Sequence, residues 1–141
     1  MIDIENMVYT TLYNEIKAAF PKAEVSGEYN ETPSAFPFVS IVEENNSTYR
    51  KSLDGDLKEH HASLMYTINI YSAKSNGKKE EAKAIQKVVD STFQSLKATR
   101  SMCNRIPNID RTIYRIVSRY SLVVAEATEI NGNKVYQLYR K

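Results

Sequence analysis

The residues of this chain whose types and spacing could do chemistry are two adjacent histidines, a lone cysteine, a Gly-Lys pair, an Asp-Gly-Asp turn and a column of arginines. His60 and His61 are the obvious metal ligands. On a strand, however, neighbouring side chains point to opposite faces, so the two imidazoles do not chelate one ion, and no cysteine or His-x-x-x-His partner stands nearby. Histidines on the surface of a hairpin arm are the simpler reading. Cys103 as a nucleophile needs a base, and both histidines lie far away along the chain, which favours an ordinary small residue. Gly77-Lys78 has the end of a phosphate loop, but the glycine required five positions earlier is Ser72. A capping turn before a solvated Lys/Glu helix face accounts for it. Asp54-Gly55-Asp56 lacks the further acidic ligands of a calcium loop and is explained as a turn. The four glycines, at 27, 55, 77 and 132, are too scattered for a dinucleotide loop. The expectation is therefore no catalytic residue, no metal, no cofactor and no small-molecule substrate.

The arginines carry more. Lys97, Arg100, Arg105, Arg111, Arg115 and Arg119 fall in one segment opposed only by Asp110. On a strand, Arg111, Arg115 and Arg119 would share a face at steps of about 13 Å. With Tyr114 and Tyr120 close by, a nucleic-acid surface built on residues 97–119 is one reading. Those tyrosines would point the other way, though, and Ile113 and Val117 would sit between the arginines. That mixture suits a protein partner better, because Arg forms fixed bidentate pairs while Ile and Val bury area. A second candidate contact region is Tyr49, Arg50 and Lys51, near the tip of a polar hairpin.

The elements that must position these residues follow from hydrophobic periodicity. Ile4, Val8, Leu12 and Ile16 predict a helix with one buried face, capped by Asp3 and stopped by Pro21. Residues 22–30 read as a weak strand or irregular crossing. Pro33 and Pro37 hold the next approach extended, so a strand begins near Phe38, with Val39 and Ile41 on one face and Phe38 and Val42 on the other. Val39 to Arg50 and Leu57 to Ser72 read as arms of a long hairpin turning at Asp54-Gly55, its tip, roughly Asn46 to Lys58, projecting beyond the sheet. In the second arm Ala62, Leu64, Tyr66, Ile68 and Ile70 alternate strictly and face the core.

The stretch from His61 to Leu96 organises the rest. After that strand, Ser75-Asn76-Gly77 predicts a turn and cap, and Ala82, Ile85, Val89, Thr92, Phe93 and Leu96 predict a long helix with Lys79, Lys83, Lys87 and Asp90 outside. Met102 to Ile106 reads as a short strand. Arg111 to Ala125 reads as a long one whose Tyr114, Ile116, Tyr120 and Leu122 face packs on helices. An Asn131-Gly132 turn then leads into a last arm from Val135 to Tyr139. The fold class is α+β: a single mostly antiparallel sheet with a long hairpin, two helices packed on one face and a C-terminal hairpin.

Length and composition set outer bounds. At 141 residues without a linker-like tract, residues 1–141 read as one domain, large enough to fold without a disulfide or metal staple. A single cysteine fits a reducing compartment. The N-terminus has no basic region leading into an apolar run, and no apolar stretch nears the ~18 residues of a membrane span, so neither secretion nor a membrane partner is expected. Net charge is +2, too near neutral to imply nucleic acid by itself, and ten tyrosines without a tryptophan suit strands as well as interfaces.

Taken in order, the helix, Pro-x-x-Phe-Pro-Phe-Val (Pro33 to Val39), polar hairpin, Tyr-x-Ile-x-Ile-Tyr (Tyr66 to Tyr71), Gly-Lys-Lys-Glu-Glu-Ala (Gly77 to Ala82) and Arg-x-Val-x-Arg-Tyr (Arg115 to Tyr120) make a pattern. It resembles the tail terminator proteins of tailed bacteriophages and prophages, related head-tail joining proteins, and counterparts in contractile phage tail-like bacteriocins. The likeness runs from Met1 to about Ala125, and the last hairpin, Ile130 to Tyr139, has no counterpart in it. The resemblance implies a non-enzymatic structural virion protein, assembled in the bacterial cytoplasm. It would form a homo-oligomeric, usually hexameric, ring that caps the tail tube, stops tube polymerisation and docks the head or neck. The implied partners are the tail tube protein, with the sheath protein or a head-neck connector as further ones.

Overall fold

The computed structural model describes residues 2–29, 33, 35–48, 61–107, 110–130 and 133–140. Among these the order is α1 (Glu5–Ala19), β1 (Glu24–Ser26), β2 (Phe38–Thr48), β3 (His61–Ser72), α2 (Lys78–Ser95), β4 (Thr99–Arg105), β5 (Tyr114–Ile130) and β6 (Asn133–Arg140). The strands form one sheet in the order β1-β2-β3-β5-β4, antiparallel throughout except for the parallel β1–β2 pair. The α+β class, the mostly antiparallel sheet and the closing β5–β6 hairpin are as the sequence predicts.

β3 lies at the centre of that order, and its predicted core set, Ala62, Leu64, Tyr66, Ile68 and Ile70, is fully or almost fully buried. The apolar stripe of α1 delivers Val8, Leu12 and Ile16, and α2 delivers Ala82, Ile85, Val89 and Phe93, into the same cluster. Each such large side chain contributes about 1.5–3 kcal/mol relative to exposure. α1 begins differently from the expected cap. Ile4 occupies the N-cap place without a side-chain bond, and Asp3, one residue earlier, accepts the backbone N–H of Glu5 at 3.0 Å. Phe20 terminates the helix just before Pro21, its N–H donating to the Ile16 carbonyl.

α2 also starts by another device. Neither Ser75 nor Asn76 caps it: Gly77 is the N-cap at φ +90, a left-handed value that glycine adopts without a steric penalty. At the far end Lys97 holds φ +62, while Lys97 N–H donates to Gln94 O and Ala98 N–H to Phe93 O. This is a Schellman closure with lysine where glycine is usual. It turns the chain straight into β4, which starts at Thr99, ahead of the predicted Met102.

One strand boundary and one bulge correct the sequence reading. β5 begins at Tyr114, because the Asp110 carboxylate accepts both Thr112 N–H (2.9 Å) and Thr112 hydroxyl (2.6 Å) and ties residues 110–113 into a turn. Arg111 is therefore off the strand. β2 carries a bulge between Glu43 and Asn45, which brings Asn46 opposite Leu64 on the helix-covered face. The described residues hold Phe38–Thr48 and His61–Ser72 of the predicted hairpin arms, the ends at Arg50 and Leu57 lying outside them, and β6 spans more than the expected Val135 to Tyr139. The Asp54-Gly55 and Asn131-Gly132 turns lie outside the described residues.

Candidate interaction surfaces

Of the predicted contact residues, Tyr49, Arg50 and Lys51 lie outside the described residues, as does His60. Arg111, Arg115 and Arg119 do not form a row. Arg111 is exposed in the turn, its carbonyl accepting Lys78 Nζ at 3.1 Å, which gives Lys78 a bracing role at the start of α2. Arg115 folds down onto the helix-free sheet face. Its Nε (3.2 Å) and Nη2 (2.8 Å) both donate to Asn69 Oδ1, and its guanidinium lies 5.4 Å from the Tyr71 ring centre and 5.8 Å from that of Tyr29. Arg119 stays exposed and reaches Glu44 at 3.8 Å, a long solvent-facing pair that contributes under about 1 kcal/mol.

The helix-free face is consequently neither a charged stripe nor an apolar patch. Asn69, Thr67, Ser63, Val117 and Val123 are buried, and Tyr71 wholly so, under the longer side chains around them. Asn69 and Tyr29 are the residues that sequence reasoning missed. The signal available was Asn69 itself, a polar side chain between Ile68 and Ile70 in the central strand, where a buried amide requires a partner.

A second constellation crosses the helix-covered face in one transverse row. Successive register partners run Glu43, Tyr66, Tyr120, Arg100, from β2 through β3 and β5 to β4. Phe93 of α2 sits over the two tyrosines, stacked on Tyr120 at 4.2 Å and tilted against Tyr66 at 6.0 Å. Both hydroxyls find carboxylates at the outer ends. Tyr66 donates to Glu43 Oε1 at 2.9 Å, and Tyr120 to Asp90 Oδ1 at 2.8 Å. Burial first, then the adjacent carboxylate, raises both phenol pKa values far above their ordinary one, so both remain protonated donors.

The row ends with opposite charges. At the β2 end, oxygens of Asp3, Glu5 and Glu43 lie within 4.8 Å of one another beside a cleft of about 610 Å³. Desolvation raises the pKa of Glu43; the Tyr66 bond opposes this, and Glu5 and Asp3 add to it. At the β4 end, Arg100 donates to Asp90 at 2.8 Å, and Gln86 links Tyr120 to Ser118. Asp90, expected outside, is half-buried because this network draws it toward the sheet. Cys103, exposed on β4, has its thiol pKa raised chiefly by desolvation, which disfavours the nucleophilic thiolate. The His61 ring lies tilted against that of Tyr139, 5.5 Å between centres.

What the arrangement can do is bind: it holds fixed guanidinium and carboxylate groups at the margins of a rigid sheet. No helix among the described residues is long and apolar enough to cross a membrane. No protein-family model matches the chain, and no curated protein shows significant similarity to it.

Proposed function

We propose that the chain is a structural subunit of a phage tail or tail-like particle, assembling as a ring on the end of the tail tube, ending tube growth and presenting the docking surface for the head or neck. The sequence resemblance supplies this reading, and one structural observation supports it. Among the described residues, β5 and β6 continue paired with each other past Ala125, the partner of the first described residue of β3, as far as Ile130 and Asn133. At ~3.4 Å per residue that pairing runs about 17 Å beyond the last described β3–β5 pair. A sheet with so long a β5–β6 pair suits a ring that must touch copies of itself laterally and another ring axially. The partners on this reading are further copies of the chain and the tail tube protein, with sheath or neck proteins beyond.

The arginine partners favour this over nucleic-acid binding through residues 97–119. Arg100, Arg115 and Arg119 each hold an intramolecular polar partner, and Arg105 lies 5.2 Å from the Tyr114 ring centre. A phosphate-tracking surface keeps such groups free for counterion exchange. Native mass spectrometry with and without the tail tube protein of the same particle tests the proposal. A discrete ring, alone or on the tube, is expected, and docking is lost when residues 49–58 are deleted while the fold survives. A chain that stays monomeric in both conditions, or that binds nucleic acid with a steep salt dependence instead, overturns it.

A further inference from the structure

We propose that neighbouring copies of this chain meet edge to edge, with Arg100 on β4 of one copy seated against Glu43 on β2 of the next. The inference rests on the ring reading above and adds the contact that would build the ring. Three observations carry it.

The first is direction. β2 is antiparallel to β3, β3 to β5 and β5 to β4, so β2 and β4 run in opposite senses. Copies related by rotation about an axis along the strands would bring β4 of one beside β2 of the next in antiparallel orientation, a head-to-tail contact that can close. The second is height. Glu43 and Arg100 end the same transverse row, and a closed ring has no rise from copy to copy. For strands set along the ring axis, that row meets itself, and Arg100 arrives opposite Glu43. The third is availability. Among the described residues, β1 flanks β2 only at Phe38–Ser40, leaving the rows from Ile41 upward without an outer strand.

Charge complementarity selects a second copy as the occupant. The β2 side of the row gathers Asp3, Glu5 and Glu43, whose mutual repulsion an incoming guanidinium relieves. On the β4 side, Asp90 engages Nη1 of Arg100, and a guanidinium has five N–H donors, so the fork can bridge Asp90 of its own copy and Glu43 of the neighbour. Glu43 is already aimed by the Tyr66 hydroxyl and Arg100 by Asp90, so little side-chain freedom remains to be lost on contact.

The test uses two reversed charges, Arg100→Glu and Glu43→Lys, made separately and then mixed in equal amounts. Each variant alone carries a like-charge junction, and its assembled fraction should fall about tenfold or more in native mass spectrometry. In the mixture every junction of an alternating ring is complementary, one kind being wild type and the other reversed, so assembly returns with even-numbered copies. Circular dichroism melts check that each variant is folded. If either charge reversal unfolds the chain, Arg100→Gln and Glu43→Gln replace the pair, and each should lower the assembled fraction at moderate salt. Wild-type rings together with single variants that assemble equally well, or a mixture that fails to recover, overturn the edge contact and leave the ring reading standing. Failure of the wild-type chain to assemble even on tube protein overturns both.

Discussion

Near Asn69, at the middle of the sheet, side chains are buried on both faces, by different means. Under the helices, Leu64, Ile68, Ile70, Ile116 and Leu122 interlock with α1 and α2, and polar groups among them are bonded, the Tyr66 and Tyr120 hydroxyls to carboxylates toward the margins and Ser118 to Gln86. On the other face, Asn69, Thr67 and Tyr71 lie against the sheet, and Arg115 and Tyr29 lean over them. The first face is held by apolar area, the second by a small number of oriented groups, so the same fractional burial corresponds to different tolerances for change.

Breaking the helix-covered face should have the largest effect. Phe93→Ala removes the ring packed between Tyr66 and Tyr120 and is expected to cost about 3–5 kcal/mol in urea unfolding. The corresponding break on the open face, Arg115→Ala, takes both donors from the buried Asn69 oxygen and should cost about 1–2 kcal/mol. Arg115→Lys should recover only part of that, because an ammonium lacks the two-pronged geometry. The helical layer can also be strengthened: Lys97→Gly relieves a left-handed backbone at the end of α2 and is expected to add about 1 kcal/mol in the same assay.

The smallest effect concerns pH. Burial raises the pKa of Glu43 above its unfolded value, so its contribution to stability is complete in acid and declines as pH rises through the folded-state value. Glu43→Gln keeps an acceptor for Tyr66 and removes the decline. Its melting temperature should exceed wild type by no more than about 3 °C at pH 7, an advantage that shrinks by pH 4.

Most of the architecture was legible because its period is simple. The four-residue spacing in α1 and the strict alternation in β3 and β5 each have a single good partner surface, the shared core. What escaped the sequence reading was set by local chemistry that a period does not encode. The Asp110 side chain bonded Thr112 and took Arg111 off the strand, and Lys97 accepted a conformation normally left to glycine. The arginines differ in their local partners. Equal spacing suggested a common face, which Arg115 and Arg119 share and Arg111 leaves, and Arg115 bonds Asn69 across 46 residues of chain. The Glu43–Arg100 row was likewise invisible, since neither end is near the other in sequence and the register that aligns them emerges only from three strand pairings.

β5 also has a mechanical consequence. Its first part is clamped between β3 on one side and β4 on the other, while among the described residues its last part has only β6 beside it. Ladder bonds stand perpendicular to the strands, so tension along β5 loads all of its bonds to β3 and β4 in shear at once, whereas sideways leverage on that last part reaches them one pair at a time. A body docked there can therefore be pulled hard along the strand axis without disturbing the subunit, and is released with least work by tilting.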